Sequence, residues 1–155
     1  MPTTKNIRWW TLIHFIGLSI ATIAIGQAYP PGEWYAGLKH PSFAPPNWIF
    51  GVVWTPLYVM IAIAGWLLWE RARGSVAMKL WLVQLGLNAA WSWIFFGLHQ
   101  IGAALAEIIL LWLVIGATIL AAWRSSRSAA YLLVPYWLWV AFAAVLNTTY
   151  WLLNR

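Results

Sequence analysis

The chain has 155 residues, of which 63% are hydrophobic and 8% charged, with 15 tryptophans, no cysteine and a formal net charge of +6. That balance lies far outside the range of soluble globular domains and places the chain in a lipid bilayer. The lack of cysteine excludes a disulfide framework, thiolate metal sites and a cysteine nucleophile. Residues 1–8 are short and polar and carry no small-residue cleavage pattern, so the apolar run opening at Trp9 reads as a retained span. Runs follow at about residues 9–28, 47–69, 78–98, 101–123 and 129–153. An apolar helix of about 20 residues crosses a ~30 Å hydrocarbon core, whereas barrel strands alternate over about 10. The predicted fold class is an all-α membrane protein, a five-transmembrane-helix bundle forming one membrane domain over residues 1–155. Tyr29-Pro30-Pro31-Gly32, residues 70–74, His99-Gln100 and residues 124–128 punctuate the runs, and only the first connection is long.

Lys5, Arg8, Arg71, Arg73, Lys79, Arg124 and Arg127 fall on one side of this arrangement, against Lys39 and Arg155 on the other. Basic residues collect on the cytoplasmic side of short loops, which predicts a cytoplasmic N-terminus for this multi-pass integral membrane protein. The basic excess borders helices as membrane anchors and forms no clustered patch suited to nucleic acid, so no nucleic-acid partner is expected.

The first connection contains Trp34-Tyr35-Ala36-Gly37-Leu38-Lys39-His40-Pro41-Ser42-Phe43-Ala44-Pro45-Pro46. Three prolines between positions 41 and 46 fix dihedral angles and remove donors, which predicts a stiff cover over a cavity. Residues three, four and seven apart share a helix face. On that spacing Trp54 aligns with Tyr58, and Gln84, Asn88, Trp91 and Phe95 form one stripe. Tyr136, Trp139, Ala143, Asn147 and Tyr150 form another. Amides and phenols are costly against lipid tails, so these faces are expected to turn inward around an aromatic pocket with a few hydrogen-bonding groups.

With Trp54-Thr55-Pro56-Leu57-Tyr58, the stripe from Gln84 to Phe95, Val134-Pro135-Tyr136-Trp137-Leu138-Trp139 and Leu146-Asn147, the chain resembles the TspO family, the tryptophan-rich sensory proteins or translocator proteins. The resemblance runs from about Tyr29 to Arg155. It implies binding of porphyrins such as protoporphyrin IX, of haem or bile pigments, and of sterol-like or synthetic aromatic molecules within the bundle. A tetrapyrrole suits such a site because its conjugated face stacks on indole and phenol rings while its carboxylates seek donors near water. By position, Trp34 and Tyr35 would close the lid, while Trp54, Tyr58, Asn88, Trp91, Tyr136, Trp139, Ala143 and Asn147 would line the pocket. Two departures stand out: His40 occupies the place where the family commonly has lysine, with Lys39 one residue earlier, and Phe43 stands where tryptophan is common. A histidine meets an anionic ligand with charge only when protonated, so this departure predicts pH-dependent binding.

The implied function is tetrapyrrole binding by a sensory or translocator protein. The alternatives are a transporter and a light-dependent porphyrin-degrading enzyme in which Trp54 and Trp139 react with the excited ligand. No metal site, dedicated catalytic acid or catalytic base is expected. The absence of inverted repeats argues against an ordinary secondary transporter.

Other residues carry plainer readings. Trp9, Trp10, Trp69, Trp123 and Trp151 lie near span ends and read as interfacial anchors. The spacing of Trp66, Trp81, Trp93, Trp112 and Trp137 does not decide between lipid and neighbouring helices. His14 reads as structural; Glu107, an acid within a span, marks either an interhelical bond or a functional group. Gly86 with Ala90 and Gly102 with Ala106 permit close helix contact, and the family resemblance implies a possible homodimer. Leu146, Tyr150 and Arg155 match the loose cholesterol pattern, which many helices match by chance.

Overall fold

A computed structural model of the chain describes residues 8–155. Lys5, one of the basic residues used to orient the bundle, lies outside them. The described residues form six helices: α1 (Leu12–Gln27), α2 (Glu33–Ala36), α3 (Asn47–Ala72), α4 (Val76–Ser92), α5 (Ile101–Ser125) and α6 (Arg127–Asn154). A 3₁₀ turn, Trp9–Thr11, leads into α1, and a π-helical turn, Trp93–Gly97, prolongs α4. With these extensions, five helices are long and apolar enough to cross a membrane, and α2 is a single turn between the first two. The chain is thus a multi-pass, all-helical membrane protein.

The spanning helices close a ring in the order α1, α3, α6, α5, α4, with α4 returning to α1. Every spanning helix therefore has at least two packed neighbours and a lipid-facing strip, and α3 also touches α4 and α5 across the bundle. Ile13, Val52, Leu113, Leu120, Leu138 and Val145 lie on those strips, exposed in the bundle and matched to acyl chains. The interior holds Ile61, Leu68, Trp81, Ile115, Leu133 and Tyr136. Two of the tryptophans that spacing left undecided, Trp66 and Trp81, are core residues.

Trp81 shows how an indole fits between helices. Its ring crosses α3 at Gly65, where a β-carbon would collide with the six-membered ring, and its Nε1 donates to the Ile61 carbonyl at 3.0 Å. Glycine here exchanges helix propensity for close approach, a common trade within membrane bundles.

At one rim Ser75 caps α4 through Met78 N, and Ser126 caps α6 through Ala129 N. Arg8, Arg71, Arg73, Lys79, Arg124 and Arg127 all belong to this rim, at the start of α1, α4 and α6 or the end of α3 and α5. Glu70 ties the first span to the third helix there by accepting from Thr11 Oγ1 at 2.9 Å and from the Arg8 backbone N–H at 3.3 Å. The long first connection and the C-terminus lie at the opposite rim. Pro56 and Pro135 sit inside α3 and α6, each freeing the carbonyl four residues earlier.

Candidate functional site

The inward stripes of α3, α4 and α6 meet in the bundle. Trp54 and Tyr58, one turn apart on α3, stack at 5.2 Å between ring centroids with an interplanar angle of 29°. Trp54 also meets Tyr136 of α6 edge-on at 6.0 Å. The Tyr58 hydroxyl donates to Asn88 Oδ1 at 2.7 Å, and Asn88 Nδ2 donates to the Tyr136 hydroxyl at 2.9 Å. One carboxamide thus joins phenols from two other helices, with Tyr136 fully buried.

A second assembly lies towards the lid. Trp91, one turn beyond Asn88 along α4, donates its indole N–H to Asn147 Oδ1 at 3.1 Å. Asn147 Nδ2 passes a bond to the Ile101 carbonyl at 3.0 Å, at the first turn of α5. Trp91 is packed against both hydrophobic clusters of the protein and connects the two assemblies. It stacks on Phe95 at 5.0 Å, and the π-helical turn containing Phe95 leaves that ring buried while Trp93 faces outward. Trp139 contacts Phe50 of α3 at 5.9 Å and Phe142 at 5.3 Å, and its Nε1 is buried without a partner. Ala143, half-buried one turn further on, packs against the same core.

The first connection closes over this region. Trp34 and Tyr35 sit on α2, a feature that the proline pattern did not signal. Trp34 stacks on His99 at 4.2 Å and 14°, and its edge meets Phe95 at 5.9 Å. His99 has φ 56°, a left-handed conformation that ends α4's extension and presents the imidazole to the lid. The Tyr150 hydroxyl lies 2.7 Å from the Tyr35 hydroxyl and 2.7 Å from His40 Nδ1. Asn154 brackets Lys39 through its backbone, accepting from Lys39 N at 2.8 Å and donating to Lys39 O at 3.1 Å. Tyr150 and Asn154 therefore fasten the lid to the last turns of α6.

All ten residues singled out from the sequence belong to the lid or to the faces of α3, α4 and α6 beneath it. They form not one ring but two linked groups: Trp54, Tyr58, Asn88 and Tyr136 below, with Trp139 and Ala143 flanking them, and Trp91 and Asn147 above, under Trp34 and Tyr35. The fastening residues Tyr150, Asn154 and His99 were not among them. Tyr150 and Asn154 continue the Asn147 face at intervals of three and four, which is the signal that identifies them.

Besides the Trp139 indole, an amide and an acid buried near this region have no partner. Gln84 is fully enclosed one turn from Asn88, with neither amide atom bonded. Glu107, on the inward face of α5, has both carboxyl oxygens buried and unbonded. No group of three or more potential metal ligands occurs among the described residues.

The pattern of the TspO/MBR family matches residues 9–152 of the chain. The tryptophan-rich protein TspO of Chlorobaculum tepidum is 41% identical, covering 96% of this chain and 99% of its own length. Protein CrtK of Rhodobacter capsulatus is 36% identical, over 92% and 91% of the two chains. The translocator protein of Homo sapiens is 40% identical over 82% of this chain and 80% of its own. A ring of five spanning helices carrying these indole and amide stripes, matched along nearly its whole length, is a member of the TspO/MBR family.

Proposed function

We propose that the protein binds a flat, conjugated ligand of the tetrapyrrole class, protoporphyrin IX or haem, within the bundle beneath the first connection, and acts through that ligand as a sensory or translocating membrane protein. The observation that carries the reading is the convergence of Trp54, Tyr58, Asn88 and Tyr136 from three helices inside a membrane bundle. Indole and phenol faces offer stacking surface, and the amides offer orientation at few points, a combination suited to a large aromatic ligand. The rings pack on one another here, so a ligand replaces ring-to-ring contacts with ring-to-ligand contacts and enters when the lid lifts from Tyr150. The basic rim faces the cytoplasm in this reading, and the lid faces away from it.

Titration of the solubilised protein with protoporphyrin IX tests the proposal. Saturable quenching of tryptophan fluorescence at about one ligand per chain is expected, with weaker binding by Trp139→Phe if the indole stacks on the macrocycle. Quenching that rises linearly without saturation would defeat the reading.

Light-dependent porphyrin degradation is the second reading, favoured by the buried, unbonded Trp139 Nε1. Under illumination, loss of the porphyrin absorption band in the wild type but not in Trp54→Phe/Trp139→Phe would select it.

A further inference from the structure

The basic rim contains an open cleft of about 540 Å³ lined by Arg71, Trp123, Arg124, Arg127 and the serines at 125, 126 and 128. We propose that this cleft binds the phosphate of an anionic lipid headgroup, independently of any ligand beneath the lid.

The charge pattern within the rim is the first support. Three guanidinium groups, from the end of α3 and from both sides of the turn between α5 and α6, share one concavity that contains no carboxylate. The chain has only three acidic residues. Glu33 lies on the lid helix, Glu107 lies within the span of α5, and Glu70 is occupied by Thr11 and the Arg8 backbone. Two other basic residues of this rim have aromatic partners: Arg8 lies 5.8 Å from the Trp10 ring centre and Arg73 lies 5.0 Å from that of Trp69. Arg71, Arg124 and Arg127 instead face a shared space, where mutual repulsion falls when an anion enters. Guanidinium forks match phosphate oxygens in pairs, and the hydroxyls of Ser125 and Ser128 add neutral donors.

The position of the cleft selects a lipid over a soluble anion. One wall is Trp123, which meets Tyr131 edge-on at 5.1 Å, and both rings are exposed on the outside of the bundle. Amphipathic rings on an outer face lie at headgroup depth, so the cleft offers cations to the phosphate and an aromatic wall to the glycerol region. Basic pockets between spans at the cytoplasmic side are suited to anionic headgroups.

Native mass spectrometry of the full chain released from detergent tests this, with phosphatidylglycerol and phosphatidylcholine as probes. The wild type is expected to retain one phosphatidylglycerol per chain. R71Q/R124Q/R127Q should weaken that retention about tenfold or more without changing phosphatidylcholine adducts. R8Q/R73Q/K79Q removes the same charge from the same rim outside the cleft and should retain the lipid. Equal loss in both triple variants would show diffuse surface attraction and overturn the site. Binding of inorganic phosphate with no preference for phosphatidylglycerol would overturn the lipid assignment. If R71Q/R124Q/R127Q loses its helical circular dichroism, the wild type decides: a preference for phosphatidylglycerol over phosphatidylcholine below about threefold overturns the proposal.

Discussion

Asn88 donates to the Tyr136 hydroxyl at 2.9 Å across 48 residues of sequence, while its carboxamide oxygen accepts from Tyr58. A single amide therefore holds α3, α4 and α6 in register where water is not available to replace a lost bond. Asn88→Leu leaves two phenols without partners, each costing about 1–3 kcal/mol when buried. Tyr58→Phe removes one donor and leaves the Asn88 bond to Tyr136 intact, so its effect should be smaller. Thermal unfolding of the solubilised variants should rank Asn88→Leu below Tyr58→Phe and both below the wild type. Equal midpoints for all three would show that the amide does not bear the helix packing.

Gly65 faces Trp81 so closely that a methyl group cannot be added without moving the indole. Trp81 is fully buried and its Nε1 is bonded to Ile61 O, so the ring has nowhere to go without breaking that bond. Overpacking of this kind costs about 1–3 kcal/mol. Gly65→Ala should lower the unfolding midpoint, whereas Gly86→Ala, at a glycine with open space around its Cβ position, should not. The same midpoint for both variants would contradict the close approach.

How far the sequence alone revealed this arrangement follows from what each signal encodes. Long apolar runs specified the spans because a bilayer requires each crossing segment to satisfy its own backbone, which leaves helices as the solution. Spacing of three and four put Trp54 with Tyr58 and Asn88 with Trp91 on common faces, since that depends only on helix geometry. It did not specify that Trp91 pairs with Asn147 or that Asn88 reaches both phenols, because those bonds depend on the order of helices in the ring. The one-turn helix at Trp34 and Tyr35 was hidden by surrounding prolines, which signal stiffness without specifying dihedral order. The π-helical turn at Trp93–Gly97 was equally silent, as the aromatic run Trp93-Ile94-Phe95-Phe96 fits an ordinary helix as well.

Tyr150 fastens the lid through two contacts of 2.7 Å, to Tyr35 and to His40. Tyr150→Phe keeps the packing of the ring and removes both. Hydrogen exchange should then rise across residues 33–46 while the spans remain protected, because opening of the lid no longer breaks these bonds. Association and dissociation of protoporphyrin IX should both accelerate if the lid controls access. Unchanged exchange in that segment would place the fastening elsewhere, with Asn154 and Lys39 as the next pair to test.

Gln84 offers the sharpest separation between stability and binding. Its amide is enclosed with neither end bonded, although Asn88 one turn away is bonded at both ends. Replacing an unsatisfied buried group by an apolar one of similar size removes a desolvation cost of about 1–3 kcal/mol. Gln84→Leu should therefore raise the unfolding midpoint of the ligand-free protein. If the amide meets a polar group of the ligand, the same substitution should weaken protoporphyrin IX binding, so the two measurements move in opposite directions. A gain in stability with unchanged affinity would confine Gln84 to the packing between helices, and a loss of stability would show that relief of the unbonded amide does not outweigh the change in side-chain shape.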